Sequence, residues 1–170
     1  MHEQMDGSLA PLPTGTVAPD FTLLHTPRAY QALHSLRGQP VVLVFYPLDW
    51  EPVSREQLVL YQVWAGEFDR LGARLLGISV DHVLSHAAFA QATQVRFPLL
   101  ADFHPRGVVA RRYGVYRENQ GVSARALFVL DRRGIIRWSQ IYPDLLNPGV
   151  DDLLTTLEAL TADDAPTEEP

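Results

Sequence analysis

The 170-residue chain contains no cysteine. That absence excludes disulfides, thiolate metal sites and any cysteine nucleophile. Lysine is absent too, so fourteen arginines are the only Lys/Arg-type cations, set against twenty acids for a net charge of −6. The imbalance is local. Residues 151–170 carry seven acids and no base, which leaves residues 1–150 at +1. A nearly neutral body without lysine lacks the clustered cationic footprint of a nucleic-acid binder, and the acidic end reads as a solvated terminus. Long apolar runs are also missing. The longest, Val41 to Leu48, is too short to span a bilayer, so no membrane partner is expected. Residues 1–16 show neither a basic start nor an apolar stretch, and the expectation is a cytoplasmic protein. There is no Gly-rich phosphate loop, zincin motif or nucleophile elbow, and no cofactor is expected.

What remains is one domain's worth of strand and helix patterns. Residues 1–16 are rich in Pro, Gly, Ser and Thr and read as a flexible arm, residues 17–162 as the domain, and residues 163–170 as an acidic disordered tail. Phe21–Leu24 reads as a short strand and Ala32–Leu36 as a helical turn. The five apolar residues Val41–Phe45 suit a strand covered on both faces. A loop with prolines at 47 and 52 follows. Leu58, Tyr61, Trp64, Ala65, Phe68 and Leu71 then recur at helical spacing, predicting an amphipathic helix of about four turns from near Ser54. Arg74–Val80 is a further strand, His82–Thr93 a helix, Phe97–Leu100 a strand and Pro105–Tyr113 a short helix. Ala124–Leu130 and Ile135–Gln140 flank a hairpin turn at Asp131–Gly134, and Val150–Leu160 is a last helix. Two βαβ crossovers followed by a hairpin and a helix give an α/β fold: a central mixed sheet with helices on both faces, wired as a thioredoxin-like domain with an N-terminal extension.

Along that frame, Val17-Ala18-Pro19-Asp20-Phe21-Thr22-Leu23, Val41 to Pro47, Pro52-Val53 and Glu56 stand in a familiar order. They are followed by Ser79-Val80-Asp81, Ser85-His86, Phe89, Phe97 to Asp102, Arg112 to Val115 and Arg125 to Asp131. In order and spacing the chain resembles the peroxiredoxins, near the alkyl hydroperoxide reductase E and bacterioferritin-comigratory branches, from about Val17 to Leu160. The resemblance implies a thiol-dependent peroxidase reducing hydrogen peroxide or organic hydroperoxides in antioxidant defence. It also implies a thioredoxin-like or low-molecular-weight thiol reductant and a homodimer across the active-site loop. Its Pro-x-x-x-Thr/Ser-x-x-Cys motif and facing Arg fall on Pro47, Glu51, Ser54 and Arg125. Two of these four positions match.

The departures decide the chemistry. A peroxidatic cysteine works as a thiolate, stabilised by a helix N-terminus and a guanidinium, and becomes a sulfenic acid. Ser54 cannot follow that path, and no His or acid at a motif position is placed to act as its base. Ser54 also fits a helix cap, with Gln57 three residues on completing a capping box. Ser54→Ala should then cost no more than a cap. Glu51 is a solvated loop carboxylate or a partner that closes the anion site by pairing with Arg125. A redox-inactive chain follows on either reading, whether Ser54 is an introduced replacement or natural. Glu51 favours the natural reading, because replacing one cysteine would not touch it. Ser123 is the candidate former resolving position, and Trp50, in the active loop, is the interface candidate. A Ser54→Cys variant is expected to carry a reactive thiol, opposed by Glu51 and aided by its removal. His82 and His86 stand at i, i+4 without a third ligand placed by sequence, so no metal is expected. The alternative to an enzyme is a thioredoxin-fold binding or assembly module.

Overall fold

Val41–Phe45 (β3) is buried along its whole length, as an apolar run in a two-sided sheet must be. Its side chains alternate between two cores. Val41, Leu43 and Phe45 face one with Phe21, Tyr113 and Phe128, while Val42 and Val44 face the other with Leu58, Tyr61, Phe68 and Leu157. In this computed structural model, which describes residues 9–164, β3 is the centre of a five-stranded sheet. The other strands are Arg74–Ser79 (β4), Leu99–Ala101 (β5), Arg125–Leu130 (β8) and Ile136–Tyr142 (β9), in the order β5-β4-β3-β8-β9. β3, β4 and β5 run parallel; β8 and β9 are antiparallel additions. The thioredoxin-like mixed sheet anticipated above is present.

Helices Pro52–Val63 (α1), Ala65–Arg70 (α2), Val83–Thr93 (α3) and Asp151–Asp163 (α5) each contribute side chains to the second core. The opposite core is closed by Val108–Arg112 (α4) and a 3-10 turn at His34–Leu36.

Four expectations are corrected. The long helix from Ser54 is two helices broken at Trp64, and it begins earlier, at Pro52. Proline belongs at a first helical position, where its missing N–H costs nothing. The strand near Phe21 is half of a hairpin, Thr22–Thr26 (β1) with Ala29–Ala32 (β2). A second small hairpin, Tyr116–Arg117 (β6) with Val122–Ser123 (β7), escapes periodicity because two-residue strands have none. Residues 9–16, expected as part of a loose arm, are tied to the body. Ala10 and Leu12 donate backbone hydrogen bonds to Gly114 and Tyr113, and Leu9 and Leu12 pack on the core. The expectation of a disordered tail falls largely on residues 165–170, outside the described residues; Asp163 closes α5.

Register and alternation together aim one residue at the start of α1. Phe45 ends β3 opposite Ala126, so Arg125 lies beside the loop that leaves β3. Arg125 shares a face with Leu127 and Val129, which belong to the core under α1.

Candidate functional site

The loop from Tyr46 to Glu51 joins β3 to α1, with Pro47 buried within it. Glu51 caps the helix: its carboxylate accepts from the backbone N–H groups of Val53 and Ser54, both at 2.8 Å. A negative charge here satisfies orphan donors and meets the positive end of the helix dipole. The capping box expected at Ser54 is thereby corrected. Ser54 is the third helical residue, fully buried. Sequence favours Ser as a cap, but the helix starts two residues earlier, at Pro52, and Glu51 takes its first free N–H groups.

The two departures touch each other. The Ser54 hydroxyl donates to Glu51 Oε2 at 2.7 Å, and Arg125 Nη2 donates to the same oxygen at 2.8 Å. Arg125 is completely buried. Its Nη1 donates to Ser54 Oγ at 3.1 Å and to Gln57 Oε1 at 2.9 Å, while Nε and Nη2 donate to the Asp144 carbonyl at 3.2 and 2.8 Å. Gln57 passes a further bond to the Tyr61 hydroxyl at 3.1 Å. Arg125 thus binds a carboxylate, a hydroxyl, an amide and a carbonyl. Of the two readings left open for Glu51, the pairing with Arg125 is the one present.

Partial burial raises the Glu51 carboxyl, but hydrogen bonds from Ser54, Arg125 and the helix N–H groups outweigh it and hold the group at about 2. Such an acid is a weak proton acceptor, so Glu51 is a poor general base for the Ser54 hydroxyl beside it. Ser54→Ala removes a hydroxyl bonded to two charged partners. The expected loss is about 1–2 kcal/mol in urea melts, with Glu51 and Arg125 still paired; a loss several times larger would mean that the hydroxyl holds the pair together.

A second polar cluster fixes the loop from behind. Asp49, fully buried, accepts from the Tyr46 hydroxyl at 2.7 Å and from Ser85 at 2.8 Å, and its two oxygens lie 2.8 and 2.9 Å from His86 Nδ1. His86 Nε2 faces the Leu100 carbonyl at 3.0 Å, and the Asp49 N–H donates to Asp81 at 2.9 Å. Asp81, raised by burial, also accepts from Ser79. Asp49, Asp81 and His86 are near enough to share an ion, yet each is engaged in this network, which ties the loop to β4, α3 and β5. His82 and His86, four residues apart, do not point the same way. His82 caps α3 through Nδ1 and His86 is buried.

Ser123 is buried on β7, its hydroxyl donating to the Ala124 carbonyl at 2.8 Å; it makes no hydrogen bond to Ser54, Glu51 or Arg125. Trp50 is 56% exposed, with its ring edge-on to Phe89 at 5.3 Å. Asp49 escaped the sequence reading, although an acid just after a proline in the loop that leaves a buried strand was a signal. The Asp144 carbonyl had none, since any residue supplies one.

A model of the AhpC/TSA family matches residues 14–139. The chain belongs to that family, the peroxiredoxins. It is 37% identical over 131 residues to alkyl hydroperoxide reductase E of Mycobacterium tuberculosis, covering 76% of this chain and 86% of that protein. It is 33% identical over 152 residues to peroxiredoxin 2 of Thermoplasma acidophilum, covering 86% and 75%. Among solved structures, peroxidoxin BcpB from Mycobacterium tuberculosis superposes with a TM-score of 0.76 at 31% identity, over 86% of this chain and 96% of that one. The E-type resemblance read from the motifs is borne out. This peroxiredoxin therefore carries the fold of a thiol peroxidase family on a chain with no thiol. Among the described residues, no helix is long and apolar enough to cross a membrane.

Proposed function

We propose that this chain is a naturally redox-silent peroxiredoxin in which Glu51 replaces the negative charge that a peroxidatic thiolate gives to Arg125. The contact of Glu51 Oε2 with both Arg125 and the Ser54 hydroxyl carries the reading. A buried guanidinium needs an anion close by, because an uncompensated charge in the interior is costly. Losing the thiolate alone would strand Arg125; a carboxylate at position 51 supplies the counter-charge and fills the anion site. That pairing is what a replacement at position 54 alone would not have produced. Under this reading Pro47, Ser54 and Arg125 are the family's catalytic positions retained without catalysis, and Ser123 has no resolving role. A serine codon at position 54 of the gene supports it, and a cysteine codon would refute the natural origin.

With hydrogen peroxide or an organic hydroperoxide and a thioredoxin or small-thiol reductant, the expected rate equals that of buffer. Turnover that disappears in Ser54→Ala would overturn the proposal. The fold then serves as a binding or assembly module, and we place its self-association at the active loop. Trp50 and Leu48, at 56% and 40% exposure, present apolar surface there. Sedimentation should find a homodimer that Trp50→Ser dissociates; a monomer at all concentrations would remove the dimer from the proposal. A cytoplasmic location is proposed with it, to be read by cell fractionation.

A further inference from the structure

A cleft lies away from Ser54, at the opposite end of the sheet. It measures about 380 Å³ and is lined by Arg74, Arg96, Asp69 and Gln62 over an apolar floor that includes Phe68 and Phe97. Arg74 opens β4 opposite Val41, the first residue of β3, whereas the active loop leaves the other end of β3.

The cleft's charges are uncommitted. The neighbouring Arg70 is taken up by Glu67 and Glu158. Arg74, Arg96 and Asp69 line one cleft without an ion pair to each other or to any other described residue.

The wall that carries Arg96 is built rather than loose. Gln94, not a glycine, ends α3 in the left-handed region at φ 62°, a conformation held only where surroundings enforce it. Two residues on, the Arg96 backbone N–H is captured by the Gln62 side chain of α1 at 2.7 Å. The Pro98 carbonyl then accepts from the Gly77 N–H at 2.9 Å. A Cβ on Gly77 would stand 2.7 Å from Leu99 Cδ2 and 3.3 Å from the Tyr46 ring, so a side chain there would have to push Leu99 aside. The loop is therefore fastened to α1 and β4 at consecutive points, which pre-organises the cleft.

We propose that this cleft binds a small hydroxylated phosphate monoester. Two guanidiniums match a dianionic phosphate, to which arginine donates in a fork, and the unpaired Asp69 carboxylate accepts only from a donor, which the ligand's hydroxyls supply. A simple anion would meet Asp69 as a repelling charge, so hydroxyls are the source of selectivity. The site is independent of the peroxiredoxin reading and of position 54.

The test is titration of the full chain, followed by amide NMR shifts and calorimetry at physiological salt, with glycerol 3-phosphate, inorganic phosphate and glycerol. Glycerol 3-phosphate should bind more tightly than inorganic phosphate, moving the Arg96 and Gln62 backbone signals, and glycerol should not bind. Arg74→Gln and Arg96→Gln, both at exposed positions, should each weaken glycerol 3-phosphate by about tenfold, the value of one charge-assisted bond. Asp69→Asn should abolish its advantage over inorganic phosphate. Equal weak binding of both phosphates, unaffected by the arginine substitutions, would overturn the proposal. So would shifts confined to other surfaces.

Discussion

Ser54→Cys alone should give a thiol that ionises above the ordinary value of about 8.5, and Ser54→Cys with Glu51→Thr one that ionises below it. Sequence left the sign open, because it depends on whether Glu51 or Arg125 stands nearer. Both stand in contact. Glu51 Oε2 is 2.7 Å from the Ser54 hydroxyl oxygen, while Arg125 Nη1 is 3.1 Å from it and Nη2 is engaged by Glu51. A thiolate at this place would face a carboxylate and an arginine already neutralised, and like charges raise a thiol's pKa. The expected reactivity of the single variant is therefore revised downward. Removing the carboxylate frees Nη2 for the thiolate and restores a hydroxyl where the family has one. A drop of about one pKa unit is expected, which raises the thiolate fraction at neutral pH by up to about tenfold. The pH dependence of thiol alkylation reads the ionisation, and peroxide consumption with a thiol reductant reads the chemistry. If the two variants alkylate alike, Glu51 does not control this site.

The largest stability change is expected at Glu51 itself. Glu51→Gln keeps the shape but leaves buried Arg125 without its anion, and removing one partner of such a pair costs about 3–5 kcal/mol when both are buried. Glu51 is 26% exposed, so about 2–4 kcal/mol is expected. The titration agrees in size: a carboxyl lowered from 4.5 to about 2 corresponds to about 3 kcal/mol at neutral pH. Because the folded value is depressed, this stability is present above 4.5 and lost as pH falls from there through about 2. Urea melts should show a wide gap between native chain and Glu51→Gln at neutral pH, and about half of it near pH 3. Burial raises Asp81 and Asp102, a shift of opposite sign, but both are common to the two proteins and cancel in the comparison. A gap that does not change with pH would mean that the ion pair is not its source.

The sequence by itself determined the outline of this protein. The apolar run Val41–Phe45 could only be a two-sided strand, and helical spacing from Leu58 to Leu71 could only cover it. Zero cysteines excluded a cysteine nucleophile on this chain, and motif order pointed to the family before any contact was known. Periodicity could not place short elements or helix breaks, as β6, β7 and Trp64 show, since two residues carry no period. The site's meaning lay beyond it altogether. Glu51 and Arg125 are 74 residues apart, and whether they pair depends on the register of β8 against β3 and on which face of β8 bears the odd-numbered side chains. Only the tertiary structure sets both, because burying Leu127 and Val129 under α1 carries Arg125 to the helix start with them. There a carboxylate three residues before Ser54 can cap the helix and neutralise the arginine at once.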